Sequence, residues 1–240
     1  MLHWRTSRYI FAAAAISLVC QMAVAREKEE PISKAPLFCG AAVFADLAGP
    51  VMKAVDARFY QMEVGARLNF RDHFFPICEL GIGESNREGR ENNNQFHSRA
   101  PYYRIGMDYN LNKKHNGNRL MIGLRYGFSA FKYDFEDPDF NDPVWGGTGS
   151  LNMKNMNGRT GWMEASIGCE TKLWKFIRLG WNLRYKVRLH QSVNDSGEPY
   201  YTPGFGKNAS NTFGGTVNLI FDVGKTVKKR VVIPGIEIRD

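Results

Sequence analysis

The sequence predicts an all-β protein, an eight-stranded antiparallel up-and-down transmembrane β-barrel. Three observations predict it: strands with a period of two, polar connections that alternate long and short, and an inward face whose charges nearly balance.

The stretch Phe176 to Leu189 shows the period most clearly. Ile177, Leu179, Trp181, Leu183, Tyr185, Val187 and Leu189 fall on one face, and Arg178, Gly180, Asn182, Arg184, Lys186 and Arg188 on the other. Side chains of an extended strand alternate sides, so one face is continuously apolar and the other carries the cations. A globular strand averages about 5–6 residues. A membrane-crossing strand needs about 9–11, with lipid on its apolar side and a polar interior on the other, and this stretch fits that need.

The remaining strands follow in order. Leu37 to Leu47 is the first, rich in Ala and Gly and ended by Gly49-Pro50. The second sets Tyr60, Met62, Val64, Ala66, Leu68 and Phe70 against Phe59, Gln61, Glu63, Gly65, Arg67 and Asn69, and the tight turn Arg71-Asp72-His73 follows. The third, Phe74 to Glu84, sets Phe74, Pro76, Cys78, Leu80 and Ile82 against Ile77, Glu79, Gly81 and Gly83. Pro76 lies near the strand start, where a missing amide donor is tolerated. Ser85 to Arg99 reads as a polar excursion. The fourth strand places Tyr103, Ile105, Met107, Tyr109 and Leu111 opposite Tyr102, Arg104, Gly106, Asp108 and Asn110. Asn116-Gly117 then signals a hairpin. The fifth runs from Arg119, with Leu120, Ile122, Leu124, Tyr126 and Phe128 facing away from Gly123, Arg125, Gly127 and Ser129. Asp134 to Thr160, heavy in Gly, Asn, Asp and Pro, reads as the longest loop. The sixth sets Met163, Ala165, Ile167, Cys169 and Thr171 against Trp162, Glu164, Ser166, Gly168 and Glu170. A turn through Leu173-Trp174-Lys175 delivers the seventh, and His190 to Ser210 reads as a long polar loop. The eighth, Asn211 to Val223, turns Phe213, Val217, Leu219, Phe221 and Val223 outward and Thr212, Thr216, Asn218 and Asp222 inward.

Short periplasmic turns and longer extracellular loops are the rule in bacterial barrels, so this parity sets both termini in the periplasm. Phe70, Phe74, Phe75, Tyr102, Tyr103, Tyr133, Trp162, Trp174 and Phe176 gather near strand ends, as interfacial girdles require. The inward face holds Glu63, Glu79, Asp108, Glu164, Glu170 and Asp222 against Arg67, Arg104, Arg125, Arg178, Arg184, Lys186 and Arg188. An eight-stranded barrel is just wide enough for side chains to fill, so these charges are expected to pair and leave no open pore. Arg184 is expected to pair with Glu164 or Glu170 on the preceding strand. The inward Gly65, Gly81, Gly83, Gly106, Gly123, Gly127, Gly168 and Gly180 are expected to make room for the long arginines.

The domain plan is a signal peptide over 1–25, a periplasmic lead-in over 26–36, the barrel over 37–223 and a basic periplasmic tail over 224–240. Arg5 and Arg8 precede an apolar run from Tyr9 to Val19, and Ala23-Val24-Ala25 supplies a small-x-small cleavage site. That run is shorter than the ~20 apolar residues of a spanning helix. Val19 before Cys20 is bulkier than lipid attachment favours. Mean hydropathy is −0.38, as expected where only alternate residues face lipid. Cys39, Cys78 and Cys169 remain in the mature chain, an odd count that does not make a disulfide framework. Net charge is +8, and loss of Arg5 and Arg8 leaves +6. The cations are spread singly along strands, against a nucleic-acid partner. Their one compact cluster is Lys225, Lys228, Lys229 and Arg230, a candidate contact for a periplasmic partner or anionic head groups.

Three stretches, Ala100-Pro101-Tyr102-Tyr103-Arg104-Ile105-Gly106, Asp142-Pro143-Val144-Trp145-Gly146 and Tyr201-Thr202-Pro203-Gly204-Phe205-Gly206-Lys207, together resemble an uncharacterised family of Gram-negative outer-membrane barrels classed as a domain of unknown function. The resemblance covers about Leu37 to Val223. It implies a fold and an outer-membrane location, and no activity or catalytic residue. Thr212, Gly214, Val217 and Leu219 also resemble the last-strand signal read by the barrel-assembly machinery, although the chain continues past Val223.

Candidate chemistry is sparse. Asp134, Glu136, Asp137, Asp139 and Asp142 concentrate carboxylates, but not in the ligand order of a calcium loop. His190, Ser192 and Asp195, and His97-Ser98, lie near strand ends, where small lipid-modifying barrels carry catalytic groups. Catalysis needs such groups within hydrogen-bond reach of one another, which spacing does not establish. No nucleophile elbow, HExxH, P-loop or dinucleotide fingerprint is present. The expectation is a non-enzymatic outer-membrane barrel without cofactor, in contact with outer-membrane lipids, whose long loops make structural or adhesive contacts at the cell surface. The competing expectations are a lipid-modifying enzyme and a narrow pore.

Overall fold

The computed structural model describes residues 36–54, 59–88, 94–112, 118–141, 146–193 and 198–224. The leader, Asn116-Gly117, Asp142, Asp195 and the basic tail beyond Gly224 lie outside them. Among the described residues ten strands and one short helix run in the order β1 (Phe38–Asp46), α1 (Ala48–Ala54), β2 (Phe59–Phe70), β3 (Phe74–Glu88), β4 (Gln95–Asn110), β5 (Arg119–Asn141), β6 (Thr148–Lys172), β7 (Ile177–Val193), β8 (Tyr201–Thr202), β9 (Gly206–Lys207) and β10 (Asn211–Val223). Eight of them close into one antiparallel ring, and β10 returns to β1 through pairs from Ala41↔Val223 to Asp46↔Asn218. Each of these strands neighbours the one before it, with β8 and β9 a small separate hairpin. No described helix is long and apolar enough to cross a membrane.

Period two explains the ring's two faces. Outward stand large apolar side chains such as Val64, Leu80, Ile105, Leu124, Ile167 and Leu183, all well exposed. Inward stand Glu63, Glu79, Arg104, Arg125, Glu164 and Arg184, all buried. Cys39 and Cys78 are free thiols.

The structure corrects the sequence reading in the connections. Ser85 to Arg99 is mostly strand, because β3 and β4 stay paired to Glu88↔Gln95. Asp134 to Thr160 is not a loop. β5 and β6 remain paired to Asn141↔Thr148, and their connection shrinks to 142–147. A bulge interrupts this hairpin at Asn155, whose φ of 57° is held by its N–H donating to Asp134 Oδ1 at 2.7 Å. β7 runs on to Val193. The contrast between the ring's two ends therefore lies less in loop length, since 111–118 exceeds 89–94, than in how far β3 to β7 project at one end. The helix α1, unforeseen from the sequence, takes in Gly49-Pro50 and is capped by Asp46, which accepts from the N–H groups of Ala48 and Gly49 at 3.0 Å each.

Candidate functional site: the closed lumen

The lumen is filled in layers. At its middle Glu63 holds two guanidinium groups, Arg104 and Arg184, the latter at 2.7 Å. Glu79 lies 3.3 Å from Arg104, 3.2 Å from Arg184 and 3.5 Å from Arg125. Glu164 Oε1 accepts from the Trp162 indole at 2.6 Å and lies 2.8 Å from Arg104 Nε. Arg125 donates to Asp108 at 2.7 Å. Arg67 forks onto Glu170, with Nη2 to Oε2 at 2.7 Å. Toward the short-turn end, Arg119 bridges Glu170 at 3.7 Å and Asp72 at 2.8 Å, and Arg178 meets Asp222 at 2.7 Å. Bidentate and shared pairs of this kind suit guanidinium, whose planar fork presents several donors at once.

The inward residues predicted from sequence are thus brought together, with three changes. Arg184 does not pair with Glu164 or Glu170. It reaches across the lumen to Glu63 and Glu79, because its neighbour in the β6–β7 register is Ser166 while Glu164 faces Lys186. Lys186 donates to two backbone carbonyls, Gly204 at 2.7 Å and Phe205 at 3.3 Å. Arg188 is bound by the side-chain oxygens of Gln191 and Asn208 and, among the described residues, joins no carboxylate. Arg119, Asp72 and the Tyr102 hydroxyl, which donates to Glu63 at 3.1 Å, were not anticipated. Arg119 opens a strand and its inward phase follows from Arg125, so alternation alone would have found it.

Above the ions the filling is aromatic. Tyr102, Trp162 and Phe205 form one cluster, and Phe96, Ala100, Phe131, Tyr133 and Tyr201 another. Phe75, Tyr102, Tyr133 and Trp162 are therefore lumen residues, not girdle residues, whereas Phe74, Tyr103, Trp174 and Phe176 do stand outward. The segment Tyr201–Phe205 folds back into the mouth and is fully buried. Gly204 O accepts from Arg104 at 3.0 Å as well as from Lys186. Tyr201 accepts from Gln61 Nε2 at 2.9 Å, and burial pushes its phenol up to about 12. Gly204 has φ 82°, and a Cβ there would lie 2.5 Å from the Tyr102 ring.

Of the eight inward glycines, Gly65, Gly81 and Gly127 likewise admit rings rather than arginines. A Cβ on Gly81 would strike Tyr102 at 2.1 Å, on Gly127 Trp162 at 2.3 Å, and on Gly65 Phe44 at 2.3 Å. Only Gly106, of those predicted to admit an arginine, has an Arg125 side-chain carbon at 2.7 Å. A cavity of about 20 Å³, lined by Arg67, Glu79, Asp108, Arg125, Asn182 and Asn218 among others, lies below the central ions. That is room for a water molecule.

The other candidates are not brought into such a site. Ser98 is buried and donates to Lys132 O at 3.1 Å, while His97 is exposed on the opposite side of β4. His190 and Ser192 are both exposed on β7. Asp134 supports the bulge, and Glu136 pairs with Lys154 at 2.9 Å. Among the described residues no three His, Cys, Asp or Glu side chains form a metal-sized group.

A search of curated proteins found no match to the chain. A family model described as Domain of unknown function (DUF6048) matches residues 6–222, and the chain belongs to that family.

Proposed function

We propose that this protein is a closed, non-conducting β-barrel of the outer membrane, exported by a cleaved signal peptide, which presents the projecting β3–β7 end to the cell exterior as a structural or adhesive surface. One observation carries the proposal: the alternation inverts partway along a strand. On the lower part of β4, Tyr103, Ile105 and Met107 point outward and Arg104 and Asp108 inward; on its upper part, His97 and Arg99 point outward and Phe96 and Ala100 inward. β5 does the same, with Ile122, Leu124 and Tyr126 outward around Arg125, then Lys132 outward between Phe131 and Tyr133. In water an apolar face turns to the core along a whole strand. A strand that leaves hydrocarbon for water has reason to exchange its faces where it crosses the boundary. The filled lumen speaks against the pore alternative, and the dispersal of His97, Ser98, His190 and Ser192 against the lipid-modifying one.

The test is an epitope tag at Gly147, beside which a Cβ at Gly146 or Gly147 meets no atom within 4 Å. The tag is expected to be tolerated and reached by antibody on intact cells. Accessibility only after permeabilisation would invert the topology. The purified protein should give no single-channel steps in a planar bilayer, and stable conductance would overturn the closed state.

A further inference from the structure

Where the alternation inverts, three neighbouring strands each turn a cation outward. β4 offers Arg99, β5 Lys132 and β6 Arg159, all exposed, with the Arg99 side chain at 61%. The register brings them together. Pairs Ser98↔Tyr133 and Tyr102↔Ser129 share one register, which sets Arg99 level with Lys132. Arg159 pairs with Ala130, one outward position below Lys132. Directly opposed side chains of an antiparallel pair have Cβ atoms about 5 Å apart and diagonal ones about 7–8 Å, so the three charges crowd one small area. Like charges so placed repel unless an anion lies between them. Arg99 has one in part, Glu84 at 3.6 Å, which also accepts from Tyr60. Among the described residues neither Lys132 nor Arg159 has an ion-pair partner. The nearest outward carboxylate above them, Asp134, is bound to the Asn155 N–H.

Immediately below the cations the outward positions are Pro101 and Tyr103, Ala130 and Phe128, and Met163, with Gly161 buried beneath the His190 ring. We infer that Arg99, Lys132 and Arg159 form a binding site for the phosphate group of a lipid in the leaflet that surrounds the projecting end, with its acyl chains lying along this apolar surface. The inference rests on the membrane assignment proposed above. Guanidinium and ammonium groups at the edge of a hydrocarbon band are suited to such a headgroup: the stems stay with the apolar surface and the charges meet the phosphate oxygens. The continuity of the cations with the apolar band selects a lipid phosphate over free phosphate.

The full chain in neutral detergent should be mixed with equal amounts of phosphatidic acid and phosphatidylcholine and analysed by native mass spectrometry. Phosphatidic acid should be retained about tenfold over phosphatidylcholine. The double variant K132Q/R159Q should bring the two lipids to within about twofold, because the charges that favour phosphate are gone. Lys154→Gln, on the hairpin above, should leave the preference unchanged. Excess inorganic phosphate should not displace the lipid. No preference in the unchanged protein, a preference that survives K132Q/R159Q, or full displacement by inorganic phosphate would each overturn the site. Flotation with pure phosphatidylcholine vesicles separates this from the membrane assignment: a protein that floats but shows no preference loses only the lipid site, and one that does not float loses both.

Discussion

The lower and upper parts of β4 belong to one continuous strand yet are built with opposite faces. From Tyr102 to Asn110 the interior is ionic and the exterior apolar; from Gln95 to Ala100 the interior is apolar and the exterior polar. The interiors differ because different things must be filled. In the lower part the ring closes on its own side chains, and Glu63, Glu79, Arg104 and Arg184 span it. In the upper part the returning segment Tyr201–Phe205 supplies the filling, and rings pack against rings. The exteriors differ, on the account proposed here, because the solvent differs. Burial by itself does not tell a strand which face is apolar; the medium on each side does.

The lower interior should be the more sensitive of the two. Glu63→Gln takes from Arg104 and Arg184, both nearly inaccessible, one of the two carboxylates they share and leaves them Glu79 alone between them. Breaking a buried pair from one side costs about 3–5 kcal/mol, so urea unfolding of the refolded variant should shift by that amount. A variant as stable as the parent would mean the lower lumen is hydrated and its ions are screened.

The exterior gives the next effect. Ile105 is 65% exposed, and in water Ile105→Arg should be nearly silent, within about 0.5 kcal/mol. In hydrocarbon it should cost about 2–4 kcal/mol. Gln95→Arg, on the same face of β4 in the upper part and opposite Glu136, should stay within about 0.5 kcal/mol in either medium. The pair of variants, unfolded by urea from lipid vesicles, sharpens the contrast between the two parts. Equal effects would erase it.

The smallest expected loss of a native interaction belongs to the mouth. Tyr201→Phe removes the acceptor for Gln61 Nε2 and should cost about 1 kcal/mol in the same assay. The ionic layer below should be undisturbed. A loss as large as that of Glu63→Gln would mean that the returning segment, not the ion layer, holds the ring together.

Much of this was legible in the sequence, for physical reasons that also mark the limit. Period two separates Leu183 from Arg184 without any knowledge of the fold, and it placed Glu63, Arg67, Glu79, Arg104, Asp108, Arg125, Glu164, Glu170, Arg178, Arg184 and Lys186 on one side. Which of them meet across the lumen depends on how the strands close into a ring, so the Arg184 to Glu63 pair was out of reach while neighbours in register were not. The upper halves of β3 to β6 read as loops in the sequence because their alternation sets polar residues outward, the reverse of a lipid-facing strand. In Phe96 to Ala100 and Phe131 to Tyr133 the period persists with the opposite phase. Tyr201 to Lys207 looks like an exposed turn, and only the lumen it enters makes its five leading residues buried.

The central claim is that the outward face of the lower ring contacts lipid and that of the upper part contacts water. Single cysteines at Ile105 and Gln95, each with Cys39, Cys78 and Cys169 replaced by alanine, test it most directly. In membranes, Ile105→Cys should react with a lipid-dissolved thiol probe and resist a membrane-impermeant one, and Gln95→Cys should show the reverse. Equal labelling of both cysteines by the water-soluble reagent would contradict the account.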